Sequence, residues 1–327
     1  MTEAATIPAS GRTAKGDGPL AVAWRRLKKK RLAMAAVVIL VILYAAGIFA
    51  PLVATHHYAQ TDLTQTQKAP SGKHWFGTDR LGRDLYSRVL YSVQTTAIIT
   101  IITVLSGSLV LGVSLGLVGG YFRGWIDTVL SRVGELISSF PDILLILLLA
   151  ATLRPRFLGI ARWVEDTWGL KGMVASGVVD FVMLAVVFLP MSWFGTFRLV
   201  RGQVLAVREA DFVQAAKATG ASTKRVLFTH VLPNVIGPII VSASFGVGAI
   251  AGSEALLSFI GLGVQPPRPS LGTMLSDVNL RSSGAGVSIL RDHPEQLIFP
   301  ALAVWLFIFC WSLLGDALTD VFNPKSK

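Results

Sequence analysis

Six stretches of the chain are apolar for about the length a helix needs to cross a bilayer core, roughly 20 residues. They run Leu32–Val53, Val93–Val118, Val133–Leu153, Ser176–Phe197, Pro233–Leu257 and Leu297–Leu314. Polar segments of unequal length separate them, and the pattern predicts an all-α membrane protein of six transmembrane helices. The expected division is a disordered basic N-terminus over residues 1–31, a first helix over 32–53 and a long loop over 54–92. A core of five spans follows over 93–318, and a short tail over 319–327.

One polar segment, READFVQAAKATGASTKRVLFTHVLPN from Arg208 to Asn234, carries a helix-compatible stretch over about 209–220. It places Ala215 and Ala216 side by side and stops at Gly220, the residue type that most often takes the left-handed conformation ending a helix. Pro233 heads the next apolar run, where a missing N–H costs little. The expectation is a short helix lying on the membrane face between the fourth and fifth spans.

Composition agrees with a membrane protein. Of 327 residues 52% are hydrophobic and only 15% charged, against about 25% charged in soluble domains. The net charge of +11 is concentrated, with WRRLKKKRL at Trp24–Leu32 immediately before the first apolar run. That placement reads as the flank of a membrane span, so no nucleic-acid partner is expected. Eight Lys and Arg precede the first span, and Arg123, Arg132, Arg198, Arg201, Arg208, Lys217, Lys224, Arg225, Lys325 and Lys327 fall on the same side. By the positive-inside rule both termini are cytoplasmic.

Gly112 and Gly116 in the second span, and Gly248 and Gly252 in the fifth, stand at the spacing that lets helix backbones approach closely. Packing within one bundle explains them, with dimerisation as the weaker reading. The chain has no GxxxxGK[ST], HExxH or CxxC pattern, and thus no phosphate loop or zinc-protease helix of those kinds. His56, His57, His74, His230 and His293 are too scattered along the sequence to make a metal site by spacing, and the lone Cys310 reads as a packing residue. No catalytic residue, cofactor or metal is expected. Acids at membrane depth are functional candidates by default. Glu135, Asp142, Asp180 and Asp316 read mainly as interfacial, and Glu254 in AGSEALLSF is the first candidate for the transport pathway.

Four motifs give the chain a family resemblance: HWFGTDRLGRDLYSRVLYS at His74–Ser92, ADFVQAAKATGAS…HVLPN at Ala210–Asn234, GSEALLSFIGLGVQPPRPSLGTML at Gly252–Leu275 and LLGDALTDVFNP at Leu313–Pro324. In this order they resemble the inner-membrane permeases of binding-protein-dependent ABC importers, in the dipeptide, oligopeptide and nickel subfamily, and the C-type member of the pair. The resemblance implies the type I importer permease fold, with a cytoplasmic coupling helix seated in a cleft of an ATPase subunit. It implies ATP and Mg bound by two partner ATPases and none in this chain. Further implied partners are a second permease completing a heterodimer and an extracytoplasmic substrate-binding protein, all at a bacterial inner membrane. The coupling residues it implies are Asp211, Gln214, Ala215, Ala216, Gly220, Leu232 and Pro233, with Gln214 where the family's pattern has glutamate and His230 where an aliphatic residue is commoner. Trp75, Arg80, Arg83 and Asp84 are candidates for outer-face docking, or alternatively for capping the second span. The cargo implied is a short peptide. The alternatives are nickel or another small solute on the same machinery, a stand-alone proton-coupled transporter, and a membrane scaffold.

Overall fold

The computed structural model describes residues 19–169, 172–174, 176–279 and 291–322. The segment before residue 19, expected to be disordered, and the Asn323–Pro324 end of the last motif lie outside the described residues. Among the described residues the chain is helical with no strands, and six helices are long and apolar enough to cross a membrane.

Within the stretch 1–31 expected to be disordered, Pro19–Lys28 is instead helix α1, a basic amphipathic lead-in ordered by packing Ala23 and Leu27 onto Ala317 and Val321 near the end of the last helix. Arg26 donates to the Val321 carbonyl at 3.4 Å, and Lys30 pairs with Asp320. These contacts bring the N-terminal lead-in and the C-terminal end of the last helix to the same end of the bundle. Helix α2, Arg31–Ile48, ends sooner than its apolar run predicts. Phe49 leaves helical geometry (ψ 12°), and the remaining residues form a separate turn, Ala50–Val53, that accepts Pro51 at its start because an N–H there would be unpaired anyway.

Helix α3, Leu85–Phe122, starts well before the expected Val93. Asp84 caps it by accepting from the Ser87 N–H at 2.8 Å, which satisfies one of the orphan donors of a helix start. Its middle, Val104–Gly112, is wound as a π-helix, a form that recurs at functional sites.

The third predicted span needs correction. Val133–Leu153 is not one helix: α4, Gly124–Ser138, stops and α5, Asp142–Trp168, begins after a break at Ser139–Pro141. Proline disfavours α geometry in the residue before it, and the last turn of α4 tightens to i→i+3 bonds at Ser139 and Phe140. Leucine and isoleucine on both sides keep hydropathy high across the break. In turn, α5 continues through Arg154 and Pro155, so the expected loop Arg154–Ala175 is helical to Trp168 and ends at Gly169. Hydropathy marks where a helix leaves the apolar layer, not where it stops. Arg154 explains the continuation, donating to the Gly263 carbonyl at 3.2 Å and pairing with Asp180 at 3.6 Å.

Helices α6, Val178–Val207, α7, Asp211–Ala218, and α8, Thr223–Ile260, follow. Helix α8 begins upstream of the expected Pro233, capped by Ser222. Pro233 falls just after a π-helical stretch, Val226–Val231, where α geometry resumes. A short α9, Leu271–Asn279, and α10, Glu295–Phe322, complete the bundle.

Glycines set a close helix contact. Gly112, Gly116 and Gly120 of α3 lie against Thr196, Val200 and Val204 of α6, residues with the same four-residue spacing. Both pairs singled out from the sequence thus pack inside the bundle, since Gly248 and Gly252 face Ile308 and Trp311 of α10.

Candidate functional site

Three stations along the bundle carry the polar chemistry. At one end, α7 projects from the connection between α6 and α8. Val213 is its anchor, wholly buried among Leu117, Val200, Val204, Val226 and Val235. One apolar residue in a short helix fixes its rotation, so Asp211, Phe212, Gln214, Ala215 and Ala218 face outward, with Ala216 and Lys217 half-buried. Asp211 in the first turn and Lys217 near the last complement the helix dipole. The helix closes with a Schellman motif: the Ala221 N–H donates to the Ala216 carbonyl at 3.0 Å and the Gly220 N–H to the Lys217 carbonyl at 2.9 Å. Gly220 takes the left-handed conformation this requires, φ +78°.

Gln214 has a local explanation. Its amide donates to the Arg208 carbonyl at 3.1 Å and to Glu209 Oε2 at 3.5 Å, two acceptors that a carboxylate could not serve. Arg208 in turn donates to the Tyr121 carbonyl at 2.6 Å, and Lys217 lies 5.3 Å above the Tyr121 ring. The base of α7 is therefore tied to the end of α3. Leu232 is half-buried beside the Val213 cluster, and Pro233 is exposed.

Midway along the bundle, α3, α5, α6 and α8 enclose an open cavity of about 260 Å³. The π-helical part of α3 lines it through Val104 and Ser108, and Ser192, Thr196, Ser242 and Ser253 also line it. Asp142, the first residue of α5 after the break, is the sole ionisable residue of this lining. Asp142, placed among the interfacial acids in the sequence analysis, is exposed here and joins the cavity lining as the first residue after the break.

Glu254 does not line this cavity. It is fully buried and accepts from Thr96 Oγ1 at 3.0 Å and Ser258 Oγ at 2.8 Å, bolting α8 to α3. Removing it leaves two buried hydroxyls without their acceptor, which costs about 1–3 kcal/mol. Glu254→Ala is expected to lower the unfolding temperature in detergent clearly more than Glu254→Gln, which keeps an acceptor oxygen. Equal melting of the two variants would refute the bolt.

At the other end, residues 54–84 fold over the start of α3. Of the four docking candidates there, Arg83 and Asp84 are buried and build the loop. Arg83 Nε pairs with Asp79 at 2.7 Å and its NH2 with Asp277 of α9 at 3.3 Å. Arg88, wholly enclosed, lies 3.5 Å from each of the same two carboxylates. Arg80 is half-buried, and Trp75 is exposed, its ring 4.7 Å from that of Tyr86 and tilted 47° to it. His56, His74 and Asp84, distant in sequence, meet in this loop.

Residues 108–327 match the family described as binding-protein-dependent transport system inner membrane component. Residues 18–70 match the N-terminal TM domain of oligopeptide transport permease C. The chain is 35% identical to the dipeptide transport system permease protein of Alkalihalophilus pseudofirmus, over 94% of this chain and 91% of that one. It is 34% identical to the glutathione transport system permease protein of Escherichia coli, over 93% and 90% of the two chains. It is 32% identical to the oligopeptide transport system permease protein of Bacillus subtilis, over 92% and 88%.

Proposed function

Because the chain belongs to the family of binding-protein-dependent transport system inner membrane components, we propose that it forms half of the pathway of an ATP-driven importer of short peptides and takes its power stroke through α7. As a member of that family it is a multi-pass, non-catalytic permease subunit of a larger transport complex. The relatives described above are named for dipeptides, oligopeptides and glutathione, which favours a short peptide over nickel. Dependence on a binding protein sets aside the stand-alone proton-coupled transporter.

The observation that carries the reading is the construction of α7: a short rod rotated into place by one buried valine, closed by Gly220, with small side chains at Ala215 and Ala218 outward. Small outward residues let a helix sit deep in a partner's cleft, and Asp211 and Lys217 supply charges at its rim. The assembly we infer contains a second permease, two ATPases that bind ATP and Mg, and an extracytoplasmic binding protein. In it α7 and both chain ends are cytoplasmic, consistent with the basic run at Trp24–Leu32, and the 54–84 loop with Trp75 faces the binding protein.

Cross-linking tests the docking. Cys310 is buried, so Ala215→Cys is the accessible thiol of the variant. In the assembled complex it should cross-link to an ATPase subunit and resist an impermeant reagent applied from outside. Labelling from outside, or no capture of an ATPase, would refute the assignment.

The cavity suggests how cargo is read. A lone carboxylate among hydroxyls suits the ammonium of a free peptide N-terminus. Asp142→Asn is expected to lower kcat/KM for free peptides about tenfold, the equivalent of about 1.4 kcal/mol, and to leave N-acetylated peptides unchanged. Equal losses for both kinds of peptide would remove Asp142 from recognition.

A further inference from the structure

We propose that the 54–84 loop holds a divalent first-row transition-metal ion on His56, His74 and Asp84, and that the ion clamps this loop to the start of α3. The inference does not rest on the transport reading.

Asp84 divides its two oxygens between two tasks. Oδ2 is the cap of α3, accepting from the Ser87 N–H at 2.8 Å, the Ser87 hydroxyl at 2.7 Å and the Thr55 hydroxyl at 3.3 Å. Oδ1 faces the two imidazoles, 2.9 Å from His74 Nδ1 and 3.9 Å from His56 Nδ1. The His56 and His74 rings stack at 4.7 Å, 26° from parallel. One ligating atom from each of the three residues lies within 4.8 Å of the others. Around a tetrahedral ion with bonds of about 2.0–2.2 Å, ligand atoms stand about 3.4 Å apart, so small ring movements close the set.

A histidine–aspartate hydrogen bond alone accounts for His74. It does not account for His56, whose Nδ1 lies 3.0 Å from the Thr55 hydroxyl and 3.9 Å from the same carboxylate oxygen. Two imidazoles and one carboxylate are the donor set of zinc and its neighbours in the first row. His74 and Asp84 are buried, while the His56 side chain is about one-fifth exposed, leaving a water-accessible fourth position. A gap of about 40 Å³ adjoins the three residues, bordered also by Gln60, Asp62, Lys73 and Gly82. Two carboxylates against one ammonium leave it net acidic, as a dication requires. Hydrogen bonds from Thr64 hold the Asp62 carboxyl below the usual carboxylate range.

Such an ion would join three separate pieces: the exit from α2, the tight turn at His74 and the cap of α3. Zinc is the probe. The tag-free full-length chain in detergent, stripped with chelator, is titrated with zinc chloride against a chromophoric competitor. The expected result is one zinc per chain at micromolar affinity or tighter. His56→Gln, at the exposed rim, and Asp84→Asn, which keeps an equally good helix cap, should each weaken binding more than about tenfold. His57→Gln, beside the cluster and outside it, should bind as the unaltered chain does. Zinc should also slow tryptic cleavage at Lys68 and Lys73 in the unaltered chain and not in His56→Gln. Failure of the unaltered chain to bind zinc in the micromolar range, or unaltered affinity in either His56→Gln or Asp84→Asn, would overturn the proposal.

Discussion

Gly220→Val is expected to cut peptide uptake about 5–30-fold while the chain still inserts in the membrane. Nothing lies within 4 Å of a Cβ built at this position, so no clash causes the defect. The backbone causes it. At φ +78° an L-residue pays about 1–2 kcal/mol, a factor of about 5–30 in the population of the closed-off helix. A strained residue relieves itself by abandoning the conformation, and that releases both Schellman bonds and frees Ala221 from Ala216. The rod then frays at the end that must turn back toward α8, and a stroke delivered to it is lost in the loop. Gly220→Asn is the control, because asparagine tolerates the left-handed region. Uptake into proteoliposomes, with the inserted protein quantified, distinguishes the two. Normal transport by Gly220→Val, or equal failure of Gly220→Asn, would refute transmission through this turn.

That prediction was available from sequence because the start and stop signals of α7 are local, whereas its rotation is set by Val213 packing on other helices. An acid in the first turn, small residues and a glycine obey rules that span a few positions. The number of spans was legible for a similar reason: each carries an apolar window of bilayer length. Where hydropathy stood in for geometry it misled. The break at Ser139–Pro141 is apolar on both sides, and the helix beyond Arg154 is polar yet continuous. Glu254 was singled out as a pathway candidate, but its partner Thr96 lies on another helix, and only packing shows that it is buried and outside the cavity lining. The meeting of His56, His74 and Asp84 is wholly tertiary. Spacing argued against a metal site there because the loop that folds them together has no periodic signal.

The same limit explains why two identical glycine spacings deserve opposite expectations. Gly116→Leu should abolish recovery of folded protein, whereas Gly252→Ala should be neutral or slightly stabilising. A Cβ at Gly116 would stand 2.7 Å from Val200 Cβ and 3.0 Å from the Phe197 carbonyl oxygen. Neither atom can step aside, since one is fixed to the α6 backbone and the other belongs to it. The helices must separate, and separation at Gly116 also opens the contacts of Gly112 and Gly120 along the same face. Overpacking a single core site costs about 1–3 kcal/mol, and a displaced helix pair carries that cost at several sites together. At Gly252 a Cβ meets only the Ile308 Cδ1 methyl at 3.4 Å, the mobile tip of a side chain, and alanine gains up to about 1 kcal/mol of helix propensity over glycine. Size-exclusion profiles and thermal melts in detergent separate the two outcomes. A monodisperse Gly116→Leu protein melting with the unaltered chain would show that α3 and α6 do not need their close approach, and the cavity walls they form would then have to be redrawn.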